Sequence, residues 1–514
     1  MIPALVLVTA AAAAAEFWRM KRRGASRDDW AIFAMAVPAL GMLLYRVADC
    51  VVAMLSDSWC YLRIMPAIAL FRGYRLYYPD GQGPLLGWSY GPLMPCLESP
   101  LGALPHPVAA VVAGGLLNDV VLLGPLFLLS RRLLPPSPSR TATAVLLLWA
   151  FQSLMLLCPA SAFWLRGIQV DTFAIGLVAL GCWTLLGADP AGPVSLGRIT
   201  SSAILLAAAV FSKQNEFFTL AAPVAFMAAR DGRRGALWLI GALAGAGSLG
   251  LGLCLLAVGW EALFLNMWVV PAGHPWIRPG FGTVAVVALG FLIQVSGFLV
   301  LFVLLLLGLR RDVPRPATLR DWVLGRPWVL PAAAAVLIFP ISVLGRVKVG
   351  GADNSNHSVY YLLAAIALAA AELLRTDRRL PRGGIPAIAF AVALVAAVVL
   401  PSEPQPLEER ARENRLSEDY RFARAHPGEV WFSANPLVTL YTDGTLYHQG
   451  YGVYDRTLAK QPPTPRQLQD HLPPRLRWVS TPGLPFWSPG GLTPRPQPDG
   501  IHSMFWYEAK SPPP

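Results

Sequence analysis

The sequence predicts a mainly α-helical, polytopic membrane protein that ends in a small α/β domain. Of its 514 residues, 55% are hydrophobic and only 14% are charged. Soluble domains carry about 25% charged residues, so this composition excludes an ordinary soluble protein. As far as Leu400, the apolar residues also fall into runs that approach the roughly 20 residues a helix needs to cross a bilayer.

About twelve such runs make up a predicted membrane helix bundle of residues 1–400. The first run is followed by the basic stretch RMKRR. Since a signal peptide carries its charge before the apolar run, we expect a membrane helix here. The predicted spans are Ile2–Trp18, Trp30–Met54, Val108–Ser130, Thr141–Cys158, Gln169–Gly187, Ile199–Phe211, Phe217–Ala229, Gly235–Val258, Val284–Leu309, Trp328–Gly345, Ser358–Leu374 and Ile385–Leu400.

The charges between the runs predict how the chain is oriented. One set of alternate loops holds about 21 Lys and Arg residues, and the other set holds about 8. Because cytoplasmic loops carry the excess of Lys and Arg, the first set is predicted to face the cytoplasm. We therefore expect a multi-pass protein of the plasma (inner) membrane with both termini on the outer, periplasmic face. The short, scattered basic clusters also argue against a nucleic-acid partner, despite the net charge of +12.

A long polar segment after the second span, residues 49–107, is the predicted first outer loop. Its density of Trp, Tyr, Gly and Pro is typical of interfacial helices that lie along a membrane surface. Asp57 lies at the water boundary and is our candidate for catalysis. Asp49 lies at the edge of the span, and we expect a structural role for it. Tyr90 is a candidate contact to the substrate.

Two other outer loops place polar residues at the ends of apolar runs. In WLRGIQVD, Arg166 precedes Asp171, which opens a helix and either caps it or contacts substrate. In FSKQNEFF, Lys213 and Gln214 separate two short apolar runs. A charged residue is costly there unless it lines a water-filled cavity. Lys213 is therefore a candidate anion ligand, and Glu216 is placed to orient it.

The last outer hairpin, LGRVKVGGADNSNHSVYY, combines several features of an anion site. Arg346 and Lys348 lie at the end of one helix, a glycine pair follows, and Asn354 and His357 begin the next helix. Cations, glycine-rich backbone and a helix N-terminus together favour the binding of an anion. A tight structural hairpin with a capping Asn is the alternative interpretation.

Acids and cations on the same side of one bundle indicate a reaction class. A carboxylate that faces several cations beside apolar helices suits group transfer from a lipid-linked phosphate. The base takes a proton from an acceptor hydroxyl. The cations stabilise the charge that develops on the departing phosphate. The lipid tail stays in the bilayer, which explains why such an enzyme is polytopic.

At these residues the sequence resembles the GT-C superfamily of polytopic glycosyltransferases. These enzymes use polyprenyl-phosphate-linked sugars, and they include the bacterial lipid A aminoarabinose transferases and protein mannosyltransferases. The resemblance covers residues 30–400. It rests on Asp57, the ALFRGYRLYYPD and YGPL stretches, the LRGIQVD helix start, the SKQ break and the KVGGADN hairpin.

The resemblance implies roles for the candidate residues. Asp57 matches the first-loop acid that is the general base, and the transfer would invert the anomeric carbon. Lys213 and Lys348 match the basic residues that hold the donor phosphate. Together with the residue-level analysis, the predicted contacts to phosphate or sugar are Arg166, Asp171, Lys213, Gln214, Arg346, Lys348, Asn354, His357 and Tyr90. Many members of the superfamily have two adjacent acids in the first loop, whereas Ser56 and Ser58 flank Asp57 here. A divalent cation therefore stays open as a cofactor, because one carboxylate is a poor site unless Asp171 or Asp49 joins it.

The implied function is that of an integral-membrane glycosyltransferase of the outer face, with a lipid, glycan or protein acceptor. Two alternatives stay open. A transporter or flippase of lipid-linked sugars would use the same ionisable residues to line a path, but it should carry charges near the midplane and show related halves. No such repeat is visible in the sequence. A glycan polymerase, which joins whole lipid-linked units, is not separated from the enzyme by these motifs.

Residues 401–514 change character and are predicted to form a soluble outer-face α/β domain. The domain opens with the charged helical pattern EERARENRLSEDYRFARAH. Four strand-like runs follow, GEVWFS, GTLYHQGYGVYD, LRWVST and SMFWYEA, separated by Pro-rich turns.

Overall fold

Long apolar helices that pack side by side form most of the molecule. The computed structural model describes residues 2–186, 192–277, 280–312, 318–349, 351, 355–376, 406–481, 492–495 and 505–509. The helices up to the first outer loop and across it are α1 (Ile2–Arg22), α2 (Arg27–Met54), α3 (Ser58–Phe71) and α4 (Leu93–Glu98). Those that follow are α5 (Pro107–Leu133), α6 (Arg140–Leu157), α7 (Pro159–Leu165), α8 (Val170–Leu186), α9 (Leu196–Ser212) and α10 (Ala221–Val258).

Shorter helices and three further long ones complete the bundle. They are α11 (Trp260–Phe264), α12 (Val270–Gly273), α13 (Phe281–Asp312), α14 (Leu319–Leu324), α15 (Val329–Arg346) and α16 (His357–Thr376). Helix α10 contains Gly232 at φ 70° and ψ −167°, which is not helical. The predicted spans Phe217–Ala229 and Gly235–Val258 therefore correspond to two helical segments on either side of this kink, the first of which begins within a 3₁₀ turn (Gln214–Leu220).

Seven helices in the described part of the chain are long and apolar enough to cross a membrane. Four shorter apolar helices accompany them: Ser58–Phe71, Val170–Leu186, Leu196–Ser212 and His357–Leu373. The predicted span Ile385–Leu400 lies outside the described residues, so the total of about twelve stays a prediction. Helices α10 and α13 are mostly unburied along their apolar length, as expected for helices that face lipid.

The first outer loop is largely helical. Helix α2 continues through Asp49, whose carboxylate pairs with Arg410 and lies 3.7 Å from Arg46. Asp49 is thus a structural residue, as expected from the sequence. After α3, an extended segment leads through residues 74–92 to α4 and a 3₁₀ turn (Ser99–Ala103).

The C-terminal region folds into a small α/β unit. Its sheet has the order β1-β2-β4-β3, with β1 (Val430–Phe432) parallel to β2 (Trp478–Thr481) and antiparallel pairs between β2, β4 (Phe505–Ala509) and β3 (Leu492–Arg495). Its helices are α17 (Leu407–Arg412), α18 (Arg415–Ala425), α19 (Pro436–Thr442), α20 (Gly450–Leu458) and α21 (Pro465–Asp470). The charged helical pattern is thus two helices, because Asn414 caps the second.

Three of the four predicted strands are present, but the one over GTLYHQGYGVYD is wrong. Residues 450–458 form α20 instead. The alternation of Gly with aromatic residues imitates a strand, whereas the buried positions Gly452, Val453 and Arg456 follow helical spacing. Strand β3 was not predicted.

Backbone contacts dock the C-terminal unit onto the first outer loop. A Cβ atom on Gly452 would lie 2.6 Å from the Gly87 nitrogen, so the backbones of the two segments are in direct contact. The Leu85 N–H donates to His448 Nδ1 at 3.0 Å, and the Gln449 N–H donates to the Leu85 carbonyl at 2.8 Å. The two segments therefore lie on the same side of the bundle, as the charge pattern predicted.

His448 makes this docking dependent on pH. The ring is fully buried, its Nδ1 accepts from Leu85, and its Nε2 lies 2.9 Å from the Gln467 carbonyl. Burial lowers the pKa of His448 from 6.5 to about 4. An undocked ring takes up a proton as the pH falls from 6.5 to 4, but the docked ring does not. We expect docking to lose stability over this range, by on the order of 3 kcal/mol.

Hydrogen–deuterium exchange of residues 82–90 at several pH values measures this loss. The variant His448→Asn keeps an acceptor for Leu85 but does not titrate, and its protection factors, which correct for the intrinsic pH dependence of exchange, should change little between pH 6.5 and 4. His426→Asn, a half-exposed histidine of the same unit, is the control and should keep the wild-type pH profile. An unchanged profile in His448→Asn would contradict the assignment.

Candidate active site

A large cavity opens where one end of the helix bundle meets the C-terminal unit. Its volume is about 620 Å³, within the range of about 300–1,000 Å³ that is usual for small-molecule sites. It is lined by Trp59, Leu62, Arg63, Gly87, Ser89, Tyr90, Lys213, Gln214, Asn215, Met267, Trp268, Pro271, Ala272, His274, Gly345, Lys348, Val349, Gly351, Ser355, Gln449, Tyr451, Tyr454 and Asp455. Four of the sequence-predicted residues, Tyr90, Lys213, Gln214 and Lys348, are thus brought together.

One wall of this cavity is cationic. Lys213 Nζ lies 5.5 Å from the centre of the Tyr90 ring, and Arg63 lies over the same ring at 4.7 Å. Arg63 also donates to the Tyr90 hydroxyl at 3.1 Å. Two cations on one aromatic ring are held in place by the ring's negative face. Together they form a concentrated positive surface inside the cavity.

The chain places Lys213 through a break between two helices. Helix α9 ends at Ser212, and Lys213 is extended before the 3₁₀ turn begins. The Gly91 N–H donates to the Ser212 carbonyl at 3.2 Å, and a Cβ on Gly91 would lie 1.8 Å from the Phe211 carbonyl oxygen. Only glycine permits this approach, which fixes the end of α9 against the residue that follows Tyr90.

Behind this wall lies a buried chain of charged groups. The Lys213 ammonium contacts Asp171, whose Oδ1 also contacts His357 Nε2. His357 Nδ1 contacts Glu216, whose other oxygen accepts from the Tyr361 hydroxyl at 2.8 Å. The side chains of Asp171, Glu216 and His357 are each at most 1% exposed. Asp171 and His357 are therefore not in the cavity lining, but they hold Lys213, which is.

The buried chain depends on all of its members. A carboxylate only accepts hydrogen bonds, so both ring nitrogens of His357 donate and the ring carries a positive charge. Two cations then balance two anions. Removing one member would leave an uncompensated buried charge, which costs about 3–5 kcal/mol. Glu216 acts on Lys213 through His357 and Asp171 and not by direct contact.

Lys348 reaches the cavity from the last outer hairpin. Its ammonium donates to the carbonyls of Pro271 at 2.9 Å and Ala272 at 3.3 Å, and it lies 5.4 Å from the Trp276 ring centre. Burial lowers the pKa of Lys348. A single backbone bridge to Trp276 fixes the hairpin against the segment before α13. Lys348 thus adds a second lysine to the cavity, on a different element from Lys213.

Helix α20 contributes another part of the lining and carries an acid that was not predicted. Asp455 lines the cavity, and its carboxylate lies 3.6 Å from His274 Nε2. Burial raises the pKa of Asp455 to about 7, while Arg63 acts in the opposite direction. Sequence reasoning missed Asp455 because it assigned this segment to a strand. It also missed Arg63 and Trp59 as site residues, although a helical spacing of four relates them on α3.

Asp57 lies beside the cavity and is not part of its lining. Its carboxylate caps α3 by accepting from the Trp59 N–H at 3.0 Å, and the Cys60 thiol lies 3.6 Å away. Burial raises the pKa of Asp57. Burial and then the charges of Asp455 and Asp57 raise the pKa of Tyr451, which lines the cavity. The Tyr451 hydroxyl thus lies within the electrostatic reach of both acids.

Three further predicted substrate contacts are not part of the cavity lining that the structure describes. Arg166 ends α7, is exposed and does not line the cavity. Arg346 ends α15 and is half-buried outside the lining. Asn354 lies outside the described residues.

The arrangement does not meet the condition for a divalent cation at Asp57. Asp171 is committed to Lys213 and His357, and Asp49 to Arg410. Among the described residues, no group of three or more His, Cys, Asp or Glu side chains is placed to hold a metal ion. We derive no step through a metal.

Comparison with known proteins finds similarity in structure and not in sequence. No protein-family profile and no curated protein matches the chain. The crystal structure of ArnT from Cupriavidus metallidurans bound to undecaprenyl phosphate is similar, with a TM-score of 0.53 and 11% identity over 91% of this chain and 98% of ArnT. The apo form of ArnT gives a TM-score of 0.54 and 12% identity over 92% and 98%. ArnT is a GT-C lipid A aminoarabinose transferase.

A third structure is more distant. It is the Archaeoglobus fulgidus oligosaccharyltransferase tethered with an acceptor peptide, with a TM-score of 0.40 and 13% identity over 88% of this chain and 69% of that one. The ArnT structures cover nearly the whole chain, and the helices of the chain are apolar enough to span a membrane. The chain is therefore a multi-pass membrane protein with the GT-C fold, the fold that its sequence motifs predicted.

Proposed function

We propose that this protein is a membrane glycosyltransferase that transfers one sugar from a polyprenyl-phosphate donor to an acceptor hydroxyl. The observation that carries the proposal is the convergence of Lys213, Lys348 and Arg63 on one cavity at the ends of apolar helices. A phosphate bound there would face three cations while its lipid tail stays among the helices.

The proposed reaction is a single displacement. The acceptor oxygen forms a bond to the anomeric carbon while the bond from that carbon to the phosphate oxygen breaks. The lysines stabilise the negative charge that passes to the departing polyprenyl phosphate. Attack from the face opposite the phosphate inverts the anomeric carbon. The acceptor proton passes to a carboxylate, and we propose Asp57 for this role.

Two properties support Asp57 as the base. Its raised pKa places it nearer to the pH at which a base both accepts and releases a proton. It lies on the side of the cavity that carries Tyr451, away from the buried Asp171 that pairs with Lys213. The acceptor would therefore approach between the first outer loop and the C-terminal unit.

The positions of the charges favour an enzyme over a transporter. Asp171, Lys213 and His357 lie at the ends of α8, α9 and α16, and not at their centres. A translocation path needs ionisable groups near the middle of the membrane. We propose that the site faces the outer side of a plasma membrane.

The transfer assay separates this enzyme from a glycan polymerase. A polymerase would accept whole lipid-linked oligosaccharides, and not single lipid-linked sugars, as donors.

Cys96 offers a direct test of the outer-face orientation. All six cysteines are free thiols, and Cys96 is the exposed one, while Cys254 is half-buried. We expect a membrane-impermeant maleimide to label Cys96 in intact bacterial spheroplasts, and Cys96→Ser to lose that label. Partial desolvation raises the pKa of the Cys96 thiol, so labelling at neutral pH, where maleimides select thiols over amines, needs an extended reaction time. Labelling that appears only after lysis would reverse the proposed orientation.

Removal of either cavity lysine should impair transfer. We expect Lys213→Gln and Lys348→Gln each to lower kcat for transfer from undecaprenyl-phosphate sugars by about 10²–10³-fold, the usual effect of losing one charge-stabilising donor. Release of radiolabel from the donor in nanodiscs measures the rate. Lys460→Gln, an exposed lysine of the C-terminal unit, is the matched control. Equal rates in all three variants would remove the phosphate assignment.

Asp57 can be tested without loss of its helix cap. Asn caps a helix about as well as Asp, so Asp57→Asn should keep the melting temperature of the wild type. It should lower kcat/KM by about 10²–10⁴-fold, the usual contribution of a general base. In the wild type, kcat/KM should rise with pH as Asp57 loses its proton, through a pKa above its ordinary range. If Asp57→Asn keeps both the wild-type rate and the rise of kcat/KM with pH, Asp57 is not the general base.

A further inference from the structure

We propose that the cavity wall formed by α20 and the start of α3 is an acceptor subsite that binds a carbohydrate. This inference rests on the proposed glycosyl transfer and names the chemical class of its acceptor. The wall consists of Trp59, Gln449, Tyr451, Tyr454 and Asp455. These residues line the same cavity as Lys213 and Lys348.

The aromatic residues supply the first part of the argument. The rings of Trp59 and Tyr451 pack at 4.5 Å between centroids with an interplanar angle of 35°. Trp59 is nevertheless 37% exposed, and Trp268, which also lines the cavity, is 66% exposed. Exposed aromatic rings at a cavity wall suit the C–H faces of a sugar ring, which are apolar and carry a small positive charge.

Unused hydrogen-bond acceptors supply the second part. Gln449 is only 3% exposed, and its Oε1 has no hydrogen-bond partner among the described residues. The carboxylate of Asp455 has His274 at 3.6 Å, beyond hydrogen-bond distance. Buried acceptors are normally satisfied, so the Gln449 oxygen lacks a donor that a ligand would bring. The Asp455 carboxylate is partly exposed and can accept from the same ligand. Several hydroxyl groups on one small ring match two acceptors beside an aromatic face.

The alternative acceptor classes fit the wall less well. A lipid acyl chain would require a continuous apolar surface, whereas Asp455 and Gln449 interrupt this one. An extended peptide would pair its backbone with an exposed strand edge. The wall instead belongs to a helix, α20, whose backbone groups are used internally. A carbohydrate uses both the rings and the acceptors.

The subsite also gives the C-terminal unit a role. Helix α20 is held over the cavity by the contact of Gly452 with Gly87 and by the Gln449 N–H bond to Leu85. A Cβ on Gly273 would lie 2.9 Å from the Ala459 Cα, which fixes the other end of α20 beside Pro271 and Ala272. Asp455 would position the acceptor sugar, while Asp57 on the far side of Tyr451 would take the proton.

Ligand-observed saturation-transfer NMR on the full-length protein in nanodiscs tests the subsite. The probes are the methyl glycosides of glucose, galactose, mannose and arabinose, with glycerol and a Ser/Thr-containing hexapeptide for comparison. We expect saturation of the ring C–H protons of at least one glycoside. This signal should fall at least fivefold in Asp455→Asn and in Tyr451→Ala. Asp470→Asn, an exposed acid of the same unit, is the control and should bind like the wild type.

Binding of undecaprenyl phosphate, measured in parallel, separates the two proposals. Asp455→Asn should not weaken this affinity, because the change removes a negative charge from the cavity that holds the cations. Loss of glycoside binding with intact undecaprenyl phosphate binding in both variants supports the subsite. Glycosides that bind no better than glycerol, or preferential binding of the hexapeptide, overturn it and leave the donor assignment standing. Failure of the wild type to bind undecaprenyl phosphate overturns the proposed function instead.

Discussion

The buried contact between Asp171, Lys213 and His357 is the interaction on which the site depends. It joins residues that are up to 186 positions apart, and it ties the first turns of α8 and α16 to the end of α9. Opposite charges in a region of low dielectric attract strongly, and a buried charge that loses its partner lowers the stability of the fold. The protein therefore cannot move one of these helix ends without exposing a charge. This constraint holds Lys213 at the cavity wall as a fixed donor, which is what stabilisation of a departing phosphate requires.

Much of the bundle could be predicted because hydropathy is a local property. Adjacent residues indicate the apolar runs, the break at SKQNE and the kink near Gly232. Lys213 and Lys348 could also be predicted as site residues, since a charged side chain between apolar runs is energetically costly unless it has a functional or structural partner. What could not be predicted was which charges meet. Nothing near His357 indicates that its partners are Asp171 and Glu216, because this pairing depends on tertiary packing.

The second wall of the cavity was missed for a different reason. The segment that carries Asp455 alternates glycine and aromatic residues, and this local pattern is that of a strand. Tertiary contacts decide otherwise, since Gly452 must meet the backbone at Gly87, and helix α20 presents it there. Asp57 shows the converse case. The sequence predicted a position at the water boundary for it, but a carboxylate at the start of a helix also has an ordinary capping role, and the spacing cannot separate the two.

The two walls together make a physical case for a site shared between the membrane helices and the C-terminal unit. Cations cluster where the helices end, and acids and aromatic rings face them from α3 and α20. A phosphate and a polyhydroxylated acceptor have opposite requirements, one for positive charge and the other for acceptors and ring faces. A cavity built from a single element would have to mix these groups, and the lysines would then pair with the acids. Here Asp171 pairs with Lys213 from behind the cavity, while the Asp455 carboxylate lines the cavity with His274 at 3.6 Å and Arg63 within electrostatic reach.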